Sequence, residues 1–119
     1  MSDGSNVLHF WDAQTLEETH TVQASHVDGR VIKNLNELEM WNGYVLANVW
    51  YTDHILAINP ITGNVTHDIN FETLWPHAQR TFRNDVFNGI SVTDVEDELF
   101  VTGKKWPMLF RIKMNMDMF

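Results

Sequence analysis

The sequence predicts an all-β protein made of antiparallel four-stranded sheets, about two and a half of them, arranged as blades of a β-propeller. Three observations lead there. Asn42-Gly43 joins two apolar runs, residues 35–40 and 44–50, and Asn-Gly between alternating hydrophobics is the strongest short-range signal of a β-hairpin. A second turn, Pro60-Ile61-Thr62-Gly63, follows a strand-like run and has proline and glycine where such turns use them. A unit of strand pair, break and two further strands is complete over residues 34–70 and begins again at Asn88. Within it, VLHFWDAQTLEE aligns with ILAINPITGNVT, and LFRIKM is a truncated third copy. A repeat of roughly fifty residues with four short strands favours propeller blades over a sandwich.

Taken in order, the polar cluster Ser2-Asp3-Gly4-Ser5-Asn6 is a turn that leads into a strand at Val7-Leu8-His9-Phe10-Trp11. Residues 16–22 alternate through Glu18, His20 and Val22 and complete a hairpin. Ser25-His26-Val27-Asp28-Gly29-Arg30 reads as a polar loop. In the next strand Leu35, Glu37 and Glu39 are expected on one face and Asn36, Leu38 and Met40 on the other. Its partner alternates Tyr44, Leu46, Asn48 and Trp50 with Val45, Ala47, Val49 and Tyr51, so polar and aromatic groups lie among apolar ones. Strands are expected at residues 54–59 and 64–69. Alternation then fails over residues 70–87, where residues 73–80 are expected to make a turn or two of helix limited by Pro76. Strands resume at 88–93, 98–102 and 108–114. The expected organisation is therefore outer strands of one blade (1–33), a complete blade (34–70), an insertion (71–87) and an incomplete last blade (88–114).

Composition narrows the function classes. The chain has 119 residues, of which 44% are hydrophobic, enough to bury a core. A formal charge of −8, with no basic cluster larger than Lys104-Lys105, argues against a nucleic-acid or anionic-membrane partner. No apolar run approaches the roughly 18 residues of a membrane span, and MSDGSN is too polar for a signal peptide, so the sequence carries no address. Cysteine is absent, which removes disulfides and thiolate metal sites. His9, His20, His26, His54, His67 and His77 are scattered without the spacing of a zinc motif, so no metal or other cofactor is expected. The i, i+2 carboxylates Glu37 and Glu39 read as a solvated edge pair rather than a glycosidase dyad. Asn64-Val65-Thr66 matches a glycosylation sequon, which matters only in a secretory compartment.

Four linked motifs carry a resemblance: Asn34-Leu35-Asn36-Glu37-Leu38-Glu39; Ala47-Asn48-Val49-Trp50 with Thr52-Asp53; Asn88-Gly89-Ile90; and Val101-Thr102-Gly103-Lys104-Lys105-Trp106-Pro107 followed by Leu109-Phe110. In order and spacing, from Ser2 to Met114, they resemble the C-terminal half of the plant-type glutaminyl cyclases. The resemblance implies a five-bladed propeller and an aminoacyltransferase that converts the N-terminal glutamine of a peptide or protein to pyroglutamate with loss of ammonia. It implies that Asn36 and Lys104 are catalytic and that Trp50 binds substrate. It also implies that two N-terminal blades, with a Phe-Thr-Gln-Gly motif and the principal catalytic glutamate, have no counterpart here, so the isolated chain is expected to be inactive and to self-associate through open blade edges. A secreted location follows if the full-length form carries a signal peptide.

That chemistry suits those residue types. The α-amine must attack the side-chain γ-carbonyl, so a catalyst holds the ring-closing geometry, polarises the carbonyl and protonates departing ammonia. Asn36 and Lys104 can donate to the developing oxyanion, and Trp50 can wall the pocket. Each also has a plainer account. Taken alone, Asn36 would bridge strand backbones, Lys104 would be a solvated turn charge and Trp50 would be core; the resemblance reverses all three. Trp106 stays with blade packing. The competing function is a non-catalytic propeller segment acting as a binding or structural module.

Overall fold

A computed structural model describes residues 1–30, 32–75 and 86–119. Among the described residues the secondary structure is all β apart from a closing 3-10 turn. β1 (Val7–Trp11) and β2 (Glu18–Gln23) form a two-stranded antiparallel sheet. The middle sheet contains β3 (Ser25–His26), β4 (Leu35–Trp41), β5 (Tyr44–Val49), β6 (His54–Ile58) and β7 (Asn64–Asn70), in the order β3-β7-β6-β5-β4. The third sheet, ordered β10-β9-β8, holds β8 (Phe87–Val92), β9 (Glu98–Gly103) and β10 (Phe110–Lys113). Among the described residues no helix is long and apolar enough to cross a membrane.

The turns form as the sequence dictates. Asn42 (φ 49°) and Gly43 (φ 81°) both take positive φ, the conformation that a two-residue hairpin loop needs to match the twist of its strands. Gly63 is needed for a different reason. At φ 79° it lies so close to the β2 end that a Cβ would fall 2.1 Å from the Gln23 carbonyl oxygen, and its own carbonyl accepts from Ser25 N–H at 2.9 Å. That approach corrects one expectation. Ser25 and His26 are not purely loop but a short strand parallel to Asn64 and Val65, so the middle sheet has five strands and is mixed rather than four-stranded and antiparallel. Of the helix expected over residues 73–80, only 73–75 are described, and they form a turn; the rest lies outside the described residues.

β5 and β6 are buried on both faces, and their alternation sorts side chains between two cores. Val45, Ala47, Leu56 and Ile58 face Leu8, Ala24, Ile32 and Leu35, an aliphatic cluster shared with the first sheet. Leu46, Ile55 and Ala57 face Trp41, Phe87, Ile90, Leu99 and Val101, shared with the third sheet. Trp106 packs there as expected, stacked on Phe87 at 5.7 Å and edge-on to Phe110 at 6.2 Å. The last residue, Phe119, lies edge-on to Trp41 at 5.0 Å and against His67 at 4.1 Å.

Among the described residues β2, β4, β7 and β8 each slip by one residue against a partner, and the slips in β4 and β8 match. Between the pairs Leu35↔Val49 and Leu38↔Ala47, β4 advances one residue more than β5; between Phe87↔Gly103 and Ile90↔Val101, β8 advances one more than β9. Each is a β-bulge, which leaves a residue out of the ladder and re-aims its neighbours. The expectation that Leu35 and Leu38 take opposite faces fails for this reason, since both pack into the aliphatic core.

Candidate functional site

The bulges of β4 and β8 lie where β8 packs against β4 and β5, and this seam holds the amides of Asn36, Asn48 and Asn88. Asn36, in the β4 bulge, donates from Nδ2 to Oδ1 of Asn88, in the β8 bulge, at 3.1 Å. The Asn36 backbone carbonyl accepts from Ser2 Oγ at 2.7 Å. Asn36 thus bridges two sheets side chain to side chain, instead of bridging neighbouring strand backbones. Asn48 is completely buried in β5, and its Oδ1 accepts from the Gly89 backbone N–H at 3.1 Å.

Trp50 follows the end of β5 and is half-buried in a tight turn. Its N–H donates to the Asn34 carbonyl at 2.8 Å, while Thr52 Oγ1 donates to the Val49 carbonyl at 2.8 Å and receives His54 N–H at 3.2 Å. Tyr51 stacks on the Trp50 ring at 4.3 Å while itself held at φ 69°. Lys104 comes from the turn after β9. Its N–H donates to the Val86 carbonyl at 2.9 Å, and its Nζ stands 5.5 Å from the centroid of the Trp50 ring, within cation–π range. Gly103 makes that turn feasible, because a Cβ there would fall 2.2 Å from the Trp106 ring. Asn34 (φ 61°), Tyr51 (φ 69°) and Lys105 (φ 56°) are non-glycine residues in the left-handed region, each within two residues of Asn36, Trp50 or Lys104. Such conformations cost about 1–2 kcal/mol per residue and cluster where a site is held against local preference.

The structure therefore brings Lys104 to Trp50 and Asn36 to Asn88, and links the two pairs through Asn48-Val49-Trp50 and through Lys104 beside Val86 at the start of β8. Two buried donors, Asn48 Nδ2 and Trp50 Nε1, have no partner, and among the described residues they are the buried side-chain nitrogens and oxygens left so. Unpaired buried donors are rare in native proteins. Sequence reasoning quoted the motifs containing Asn48 and Asn88 but gave neither residue a role. The available signal was a shared pattern, apolar-Asn-x-apolar, in Leu35-Asn36-Glu37-Leu38 and Phe87-Asn88-Gly89-Ile90.

Other polar groups are peripheral to this seam. Glu37 is exposed. His9 bridges Asp3 and Glu18 on the surface; the hydrogen bonds it gives to Glu18, then to Asp3, raise its pKa, while hydrogen bonds from the Ser5 side chain and backbone, with His9, pull Asp3 down to about 2. A groove of about 370 Å³ between β1 and β4–β5, lined by Leu8, Phe10, Leu38, Met40 and Val45, shares no residue with the seam. Among the described residues no group of three or more His, Asp or Glu could hold a metal ion.

Comparison with known proteins agrees with the motifs. The family model described as glutamine cyclotransferase matches residues 1–114. Glutaminyl-peptide cyclotransferase of Arabidopsis thaliana is 39% identical over 118 residues, which cover 96% of this chain and 36% of that protein. The crystal structure of Myxococcus xanthus glutaminyl cyclase superposes with a TM-score of 0.85 at 36% identity, covering 92% of this chain and 48% of that one. The chain thus spans about a third of the length of the first relative and about half of the second.

Proposed function

The chain belongs to the glutamine cyclotransferase family, and from that premise we propose that it supplies the carbonyl-polarising side of a glutaminyl-peptide cyclotransferase site. Its sheets are read as propeller blades: residues 1–33 as outer strands of one, 34–70 as a complete blade and 88–114 as an incomplete last one, with 71–87 inserted. The substrate is a peptide or protein with an N-terminal glutamine. Its α-amine attacks the γ-carbonyl carbon, the new C–N bond closes the five-membered ring, and the C–N bond to the side-chain nitrogen breaks to release ammonia. One proton must leave the amine and one must reach the departing nitrogen. Lys104 and the second Nδ2 hydrogen of Asn36 donate to the oxyanion, and the Trp50 face walls the glutamine stem. None of these three shuttles the proton, so that role is assigned to a group outside them.

The observation that carries this reading is the Lys104 ammonium set over the Trp50 ring, which joins a charge donor and an apolar wall drawn from different sheets. Ammonia release from a glutaminyl peptide, assayed with the chain alone and within any longer chain that contains it, tests the proposal. Asn36→Ala is expected to lower kcat about 100-fold, the usual loss for one oxyanion donor. Absence of turnover in every length, with retained peptide binding, would favour the module reading. Light scattering on the chain alone is expected to show self-association, because sheet edges offer free backbone donors and acceptors to other chains.

A further inference from the structure

We propose that Asn48 is a positioning residue that holds Asn36 in place through Gly89 and Asn88; the inference rests on the carbonyl-polarising role given to Asn36. Asn48 is an amide in a strand whose neighbours Val45, Leu46 and Ala47 are all buried and apolar. Nothing in β5 itself requires it, and its Nδ2 is unpaired. Among the described residues its one side-chain hydrogen bond leaves the sheet altogether and captures the backbone N–H of Gly89. Gly89 lies in the β8 bulge, between the pairs Phe87↔Gly103 and Ile90↔Val101, where that N–H has left the ladder with β9.

By fixing Gly89, Asn48 fixes the orientation of the preceding peptide and of Asn88. The Asn88 Oδ1 in turn takes one of the two Nδ2 hydrogens of Asn36, which orients the amide plane and turns the other hydrogen to the substrate. Gly89 fits this task because it sits at φ 156° with Thr102 Cγ2 3.1 Å from where a Cβ would stand, so a side chain would press on β9 and displace the captured N–H. Asn36 is half-buried on a bulge that β5 does not hold in register. The relay supplies what the ladder does not, a fixed direction for its amide.

Asn48→Leu is the primary test, since it keeps the branched shape of the side chain, removes the unpaired nitrogen and releases Gly89. The side-chain amide resonances of Asn36 are followed by NMR in the chain alone, and kcat and KM by ammonia release in a longer chain that contains it and turns over. Asn48→Leu is expected to shift the Asn36 Nδ2 resonances and to lower kcat about tenfold or more with KM little changed, as a displaced positioning contact does. In the Asn36→Ala background it is expected to add almost nothing, because its effect passes through Asn36. Asn88→Ala, at a half-buried position, is expected to do the same and serves if Asn48→Leu does not fold. Asn36 resonances unmoved in either folded variant overturn the relay. An additive loss of kcat in the double variant also overturns it and makes Asn48 a packing residue. Normal turnover in folded Asn36→Ala instead sinks the reading on which the inference rests, and the inference with it.

Discussion

The two faces of the middle sheet are built from alternate residues of the same strands, yet they differ in kind. The face toward the first sheet is aliphatic in its buried residues, Val45, Ala47, Leu56 and Ile58 against Leu8, Ile32 and Leu35, with Phe10 packed at its margin. The face toward the third sheet is aromatic at its centre, with Phe87 between Phe71 and Trp106, and ends in the Asn36, Asn48 and Asn88 amides and the Lys104–Trp50 contact. A single strand can thus serve stability on one side and the proposed chemistry on the other. The period of two keeps the two selections independent.

The comparison breaks most severely at the aromatic centre. Phe87→Ala is expected to cost about 3–5 kcal/mol of stability and to disturb the seam as well, since Asn88 follows it directly. Leu56→Ala, on the aliphatic face, is expected to cost about 2–5 kcal/mol while leaving the KM of folded molecules unchanged. Denaturant unfolding with parallel kinetics checks the pair, and an altered KM in Leu56→Ala would show that the faces are coupled. Lys104→Ala isolates chemistry from packing: kcat is expected to fall about 100-fold with an unchanged melting temperature, because the side chain is exposed. Near-normal turnover would remove Lys104 from the mechanism. Trp50→Ala is expected to act mainly on binding, raising KM roughly tenfold through loss of an apolar wall. A collapsed melting temperature with unchanged KM would return Trp50 to the core.

The smallest effect lies away from both faces. Glu18→Gln is expected to bring the His9 pKa down toward its ordinary 6.5, measured by NMR titration. Because that pKa is raised in the fold, the stability it contributes is complete below the ordinary value and is lost as pH rises through the folded one. Asp3 is the reverse case, contributing above its ordinary 3.8 and losing that contribution as pH falls through about 2.

Local chemistry made much of this legible in the sequence. The hairpin at Asn42-Gly43, the turn ending in Gly63 and the alternation of β5 are all written in neighbouring residues. Three things were not. The parallel strand Ser25–His26 depends on the bare α-carbon of Gly63, far along the chain, and a strand of two residues has no period to read. The bulge in β4 hides from any alternation count, which assumes one residue per ladder step. The Asn48 bond to Gly89 depends on how two sheets meet, and no window along the sequence contains both residues. For the site itself, motif resemblance supplied Asn36, Trp50 and Lys104, whereas the residues between them in space required the fold.

The matching bulges also have a genetic consequence. Deleting one codon from a β-strand ordinarily shifts its register by one and turns every side chain beyond the lesion to the opposite face. In β4 and β8 an extra residue is already present, at Asn36-Glu37 and at Asn88-Gly89. A single-codon deletion at either place would therefore repair the ladder and leave the flanking core residues on their own faces. Where the deleted codon is that of Asn36 or Asn88, it would also erase one half of the amide pair. The seam is thus the place in β4 and β8 where the reading frame of the fold tolerates shortening, and a shortened gene of this kind would encode a protein that folds with an intact ladder and has lost its Asn36–Asn88 link.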